Sequence, residues 1–537
     1  MPPDTPAGPT PATRLRAAGA GLLLAACAWL ASCGGGGGGS ADGGDPPLAY
    51  DDPVVYSGAP GASLASATEA AAVTHHTLRL GGHDLAYTAT AGHLTARALV
   101  GDAPLASMFY VAYTLDGADP ATRPVTVFYN GGPGSASVWL HLGSFGPRRL
   151  ATGAPSTTPV KPFPLVDNAE SLLDATDLVF VDAVGAGLSE AIAPHSNLSF
   201  WGVDADADVF RDTIRRWLAL NQRSASPLFI FGESYGTLRS AVLAERLESA
   251  GVPLAGVVLQ SSILDYNSNC AVFSPGSTDC TGYLPSYAAV GTWFGLTRPV
   301  RDDLGPFLGE MRSFAEASYH PAVVDWLDQG LAPDAGLLGA LVADTGLAQS
   351  QWQLEFSLGP DRYQRTLIDG QITGRYDARM AVATGSPLAR EGDPSSTVIS
   401  DEFARAIRAY LPGELGYGTR SSYATTVNAI DHWDFGHDGH ALPDGVPDLA
   451  AAMTLNPDLR VLSLSGVDDL ATPFYQTERD LARLPALAGR FTVRTYVGGH
   501  MTYLDDASRA VEKADLAAFY QAALAAGAAR APEGARR

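Results

Sequence analysis

The chain has 537 residues, 46% hydrophobic and 17% charged, enough to bury a sizeable core in two or more domains or in one enzyme core with a large insertion. Its formal charge of −22 at pH 7 argues against a nucleic-acid partner, because phosphate binding needs clustered Lys and Arg and none cluster beyond the extreme N-terminus. The acidity reads as a solvated surface.

At the N-terminus Arg14 and Arg16 precede an apolar run over residues 17–30, too short for a membrane span and followed by small residues, as in a targeting segment. Leu30-Ala31-Ser32-Cys33 resembles the bacterial lipoprotein signal, in which the cysteine is lipidated and becomes the mature N-terminus. Leu24-Ala25-Ala26-Cys27 is an earlier competing match, and an ordinary secretory signal is the alternative. Six glycines and a serine over residues 34–40 suit a flexible tether. The expectation is a signal over 1–33 with Cys33 lipidated, a tether and N-terminal extension over 34–67, and an exported protein held at the cell envelope by a lipid anchor. With Cys27 removed and Cys33 lipidated, Cys270 and Cys280 remain, at a separation suited to a loop-closing disulfide in an oxidising compartment. No further cysteines exist to complete a thiolate metal site.

Alternating residues around Gly81-Gly82 predict a hairpin over 76–88, and residues 108–115, 124–129 and 177–182 read as strands. An amphipathic helix over 200–223 leads to a buried strand over 227–231, then a turn, a helix over 237–247 and a strand over 256–260. Strands reappear only at 459–464 and 491–497; between lie helical patterns at 301–319, 333–347 and 402–411. This order predicts an α/β fold with a mostly parallel central sheet and helices on both faces. The core would span 68–265 and 456–524, interrupted by a mostly helical cap over 266–455 that covers the sheet's carboxyl edge and shapes a substrate pocket. Residues 525–537, mostly Ala, Gly, Pro and Arg, are expected to be a frayed tail.

Gly232-Glu233-Ser234-Tyr235-Gly236 is the single G-x-S-x-G in the chain and falls between a predicted strand and a predicted helix. That setting is how an α/β-hydrolase presents an exposed nucleophilic serine. A serine hydroxyl is a poor nucleophile at neutral pH and needs a histidine base oriented by a carboxylate. Two later loops supply these in the required order: Gly466-Val467-Asp468-Asp469, where either aspartate qualifies, and Gly499-His500-Met501.

Together with Asn130-Gly131-Gly132-Pro133-Gly134-Ser135, these motifs closely resemble the serine carboxypeptidase family, over about residues 109–503. Leu284-Pro285-Ser286-Tyr287 and Trp139-Leu140-His141 look like its bacterial members. The resemblance implies Ser234 as nucleophile, His500 as base and, from its spacing to Pro473, Asp469 as the orienting carboxylate, with Asp468 a solvated neighbour. It implies an oxyanion hole from the amides of Gly132 and Tyr235, and binding of a peptide's terminal carboxylate by Asn130, Gly131 and Glu233. The family's second glutamate aligns with Ser144, so this chain departs from the pattern. Arg148 or Arg149 would then act as a cationic clamp or merely lie on the surface, and a broader, less acid-restricted pH range is expected. Peptide substrates are implied, with no metal or organic cofactor and nothing to set an oligomeric state. An esterase or acyltransferase using the same triad, and a non-catalytic binding lipoprotein, are the alternatives.

Residues 431–440 hold three histidines and three aspartates, but their spacing fits no standard metal site and reads as a polar loop. Trp139 and Phe145 read as a hydrophobic subsite or as plain core.

Overall fold

The runs Val125–Tyr129, Asp177–Val181, Leu228–Glu233 and Leu254–Gln260 carry no solvent-facing stripe, and nearly every side chain in them is buried. A strand can be apolar on both sides only if both sheet faces are covered. The computed structural model, which describes residues 47–272 and 276–530, shows how they are covered. The sheet runs in the order Phe491–Tyr496, Arg460–Gly466, Leu254–Gln260, Leu228–Glu233, Val125–Tyr129, Asp177–Val181, Pro104–Leu115, His83–Arg97, Ala71–Leu80. The first six are mutually parallel and the last three are antiparallel, so the expected mostly parallel α/β-hydrolase sheet is present. The hairpin around Gly81-Gly82 is longer than its alternating residues predict.

Alternate side chains feed two cores. Phe229 and Phe231 point to one face, where Leu516, Phe519 and Tyr520 of the helix Asp506–Arg530 meet them. Leu228 and Ile230 point to the other, against the helices Val203–Leu220, Tyr235–Ser249 and Val446–Leu455. Each large side chain so buried contributes about 1.5–3 kcal/mol.

Three expectations change. The insertion is a separate cap only in its first part, where the helices Leu284–Trp293, Leu304–Phe314, His320–Gln329 and Ala335–Thr345 build their own core around Tyr287, Trp352 and Tyr363. Its later helix Pro394–Gly413 buries Val398, Phe403, Ile407 and Leu411 in the main core instead. Residues 47–67 are held down: Tyr50–Asp52 pairs in parallel with Tyr417–Thr419, and buried Asp52 accepts the hydroxyls of Tyr56 and Tyr417. Residues 525–530 complete the last helix, because an alanine-rich run continues a helix that packing has already nucleated. The expected signal with Cys33, the tether up to residue 46 and residues 531–537 lie outside the described residues. Among the described residues no helix is long and apolar enough to cross a membrane.

Candidate active site

Ser234 ends the strand Leu228–Glu233 and starts the helix Tyr235–Ser249 with φ 61° and ψ −129°. This left-handed backbone costs a residue with a side chain on the order of 1–3 kcal/mol, and close packing enforces it. A Cβ on Gly232 would lie 2.1 Å from the Gly236 carbonyl oxygen, and one on Gly131 would lie 2.4 Å from the Tyr235 nitrogen. Only glycines let the 130–134 loop press against the turn. Beneath it, buried Arg239 donates to Asp206 at 2.5 Å and to the Asn130 carbonyl at 2.7 Å, joining helix, helix and loop.

The two later loops meet where strands of the parallel sheet end. His500 Nδ1 lies 2.7 Å from Asp469 Oδ2 and 3.1 Å from the Thr472 hydroxyl. Asp469 is fully buried, and its other oxygen accepts the amides of Ala471 and Thr472 at 2.7 and 3.1 Å. The His500 ring stacks on Tyr376, centroids 4.7 Å apart, and its amide donates to the Tyr376 carbonyl. Burial opposes the imidazolium, but the Asp469 carboxylate outweighs it, so the pKa of His500 is raised. An imidazole held at Nδ1 has Nε2 left to exchange a proton.

Asp468 departs from its expected place beside Asp469. It is not solvated but buried, and it accepts the Gly498 amide at 3.2 Å. Burial and the neighbouring Asp377 push its pKa up to about 7, against Arg379 3.8 Å away.

Glu233 is buried, and its two oxygens are separately held: Oε1 accepts from Asn130 Nδ2 at 2.8 Å and Oε2 from the Tyr503 hydroxyl at 2.5 Å. Burial pushes its carboxyl up to about 7, although His500, Tyr503 and Asn130 pull it down. Ser144 instead donates to the Leu140 carbonyl within its own turn.

Two hollows of about 410 and 380 Å³ open onto Ser234 and share Gly132, Tyr376, Ser396 and Ile430. The first is lined by Asn130, Gly131, Trp139, Glu233 and His500. The second is lined by Tyr266, Asn269, Arg375 and Thr472.

Other expected residues lie elsewhere. Arg148 pairs with Asp167 and Glu414, and Arg149 faces Asp506 at 3.6 Å; neither lines these hollows. Long side chains after a turn reach the nearest carboxylates, here on other elements. Phe145 is core, between Phe231 and Tyr503, whereas Trp139 packs on Phe403 and reaches the first hollow. In the 431–440 stretch, His437 bridges Asp204 and Asp448 at 3.1 and 3.0 Å. No group of three His, Cys, Asp or Glu among the described residues is arranged to hold a metal ion. Cys270 and Cys280 are bonded, with Cα atoms 5.4 Å apart. Sequence reasoning missed Tyr376, Thr472, Tyr503 and Arg239. A charged residue on a helix face otherwise apolar was a usable signal for Arg239 alone.

The family model for serine carboxypeptidases matches residues 82–272. Among solved structures, KEX1(delta)p, a prohormone-processing carboxypeptidase from Saccharomyces cerevisiae, is similar over 81% of this chain and 91% of its own, with 12% identity and a TM-score of 0.51. A proline iminopeptidase from Mycobacterium smegmatis is similar over 84% and 100%, with 16% identity and a TM-score of 0.29. The likeness to the first is one of fold. No curated protein matches the chain.

Proposed function

We propose that this chain, which the serine carboxypeptidase family model matches over residues 82–272, is a serine peptidase that removes the C-terminal residue of peptides through an acyl-enzyme at Ser234. In this reading His500 Nε2 takes the Ser234 proton as Oγ attacks the scissile carbonyl carbon, while Asp469 holds Nδ1–H. The resulting oxyanion faces the amides of Gly132 and Tyr235, each worth about 3 kcal/mol of barrier. His500 then returns the proton to the departing nitrogen as the C–N bond breaks, and water completes the second half by the same route.

One observation carries the exopeptidase reading: the Asn130–Glu233 pair lines the same hollow as Ser234 and His500. A neutral Glu233 is a hydrogen-bond donor to a peptide's terminal carboxylate, and an ionised one repels it. The reading also takes the chain as exported and lipid-anchored through Cys33; the Cys270–Cys280 bond supports an oxidising compartment.

The test compares an N-blocked dipeptide with its C-terminal amide. Free amino acid should be released from the acid with kcat/KM well above that for the amide, and Ser234→Ala should abolish both release and fluorophosphonate labelling. Equal rates on acid and amide would sink carboxylate recognition. Turnover of esters alone would point to the esterase alternative.

A further inference from the structure

The second hollow beside Ser234 contains a cation that the proposed chemistry does not use. Arg375 lines it, half-buried, together with Tyr266, Asn269 and Thr472. Among the described residues its guanidinium has no carboxylate within ion-pair distance, whereas the nearby Arg362 and Arg365 are paired with Glu355 and Asp361 at 2.5 and 2.9 Å. Its backbone is fixed from two sides: the amide donates to Asp393 Oδ1 at 2.9 Å, and the carbonyl accepts the Leu470 amide at 3.0 Å. Arg375 therefore stands between Tyr376, which stacks on His500, and the loop that carries Asp469. Its charge reaches His500, where it opposes the upward shift.

Two carboxylates share the hollow, but neither forms an ion pair with this guanidinium. Asp393 accepts from the amides of Arg375 and Ser395 through Oδ1 and from the amide of Tyr376 through Oδ2. Glu391 is exposed and makes no ion pair with Arg375. In a chain of net charge −22, this cation stands on a fixed backbone, lines the hollow that opens onto Ser234 and has no ion-pair partner among the described residues.

We infer that this hollow receives the side chain of the penultimate residue of the peptide and that Arg375 selects an acidic one. The inference rests on the carboxypeptidase reading, which puts the departing residue in the hollow of Asn130 and Glu233. The residue on the acyl side of the scissile bond then falls to the other hollow. An aspartate or glutamate there meets Arg375 with Asn269 and Thr472 as polar neighbours.

Two substrate sets separate this inference from its premise. N-blocked dipeptides ending in phenylalanine, with glutamate, glutamine or leucine before it, read both. The α-p-nitrophenyl esters of N-blocked glutamate and glutamine read the acyl side alone, whether or not any peptide is cleaved. The expected result is a glutamate-over-glutamine ratio in kcat/KM of about tenfold or more in both sets, from a hydrogen-bonded charge pair. Arg375→Gln should bring that ratio near one, and Arg375→Lys should restore part of it. Complete fluorophosphonate labelling of Ser234, at whatever rate, shows that each variant is folded, and the glutamate-over-glutamine ratio taken within one variant cancels any change that the lost charge makes at His500. A wild-type ratio near one in the esters, or a ratio that Arg375→Gln leaves intact, overturns the inference. Acidic preference in the esters without release of phenylalanine from any dipeptide would sustain acyl-side selection by Arg375 while sinking the carboxypeptidase reading and, with it, the assignment to a peptide's penultimate residue.

Discussion

Glu233 is a buried carboxyl beside the serine, held by Asn130 and Tyr503. A buried carboxyl keeps its proton to higher pH because the charged form loses hydration, and here the value reaches about 7. Below that pH the neutral acid can donate to a substrate carboxylate; above it the two anions repel. On a peptide with a free C-terminus, wild-type kcat/KM should therefore fall as pH rises through about 7. Glu233→Gln donates at any pH and should flatten that alkaline fall while the acid limb set by His500 persists. A pH profile of the variant that still falls at 7 would remove Glu233 from carboxylate recognition. Glu233 was legible in the sequence, since it sits inside the serine motif. Tyr503, which takes its second oxygen from 270 residues away, was not: a tyrosine in a loop announces no partner.

At the scale of elements, the loops bearing Asp469 and His500 are fixed by a shared cation. Arg379, almost fully buried, donates to Asp377 at 2.7 Å and to Asp505 at 3.0 Å, and lies 3.8 Å from Asp468. It thereby ties the insertion, the aspartate loop and the segment following His500. Removing one partner of a buried ionic cluster leaves charges that neither water nor protein compensates. Arg379→Met should cost about 3–5 kcal/mol, read by urea denaturation, and should lower kcat where the variant is still folded. A loss below about 1 kcal/mol would mean that the three segments hold each other without it. From sequence alone Asp468 resembled a surface neighbour of Asp469. Adjacent residues on a loop often face opposite ways, and here both ways lead inward.

The whole molecule carries several buried groups whose protonation differs between folded and unfolded chains. Glu233, Asp480 and Glu512 are raised to about 7, 7 and 8 from ordinary values of 4.5, 3.8 and 4.5, in each case chiefly by burial. The folded state holds these protons more firmly, so each contributes stability that is fully present below the ordinary value and is lost as pH rises through the folded one. Buried His93 and His141 act with the opposite sign. They are lowered from 6.5 to about 4 and 3, and their contribution is lost as pH falls below 6.5. Above 6.5 the first set still changes, joined by buried Asp468, raised to about 7, and by the raised His437 and His500. The urea midpoint should accordingly decline between about pH 6.5 and 9. A midpoint that rises across that window would contradict the assignment of these buried acids.

By itself the sequence determined the sheet, the serine turn and the order of the serine, aspartate and histidine motifs. Those depend on local signals: apolar runs of strand length, glycines where chains nearly touch, and loops that follow strands. It could not determine what surrounds them. The helix Pro394–Gly413 reads as part of a cap, yet its apolar stripe fits the main core, because amphipathicity states that a face is buried and not against what. The same limit hid Arg375, Tyr376 and Arg379, three neighbours within one short turn of the insertion. Their proximity to His500 and Asp468 exists only once residues nearly a hundred or more positions apart are folded onto one edge of the sheet. Tertiary structure alone decided that Arg379 was neutralised inside while Arg375 was left without an ion pair in the hollow that opens onto Ser234.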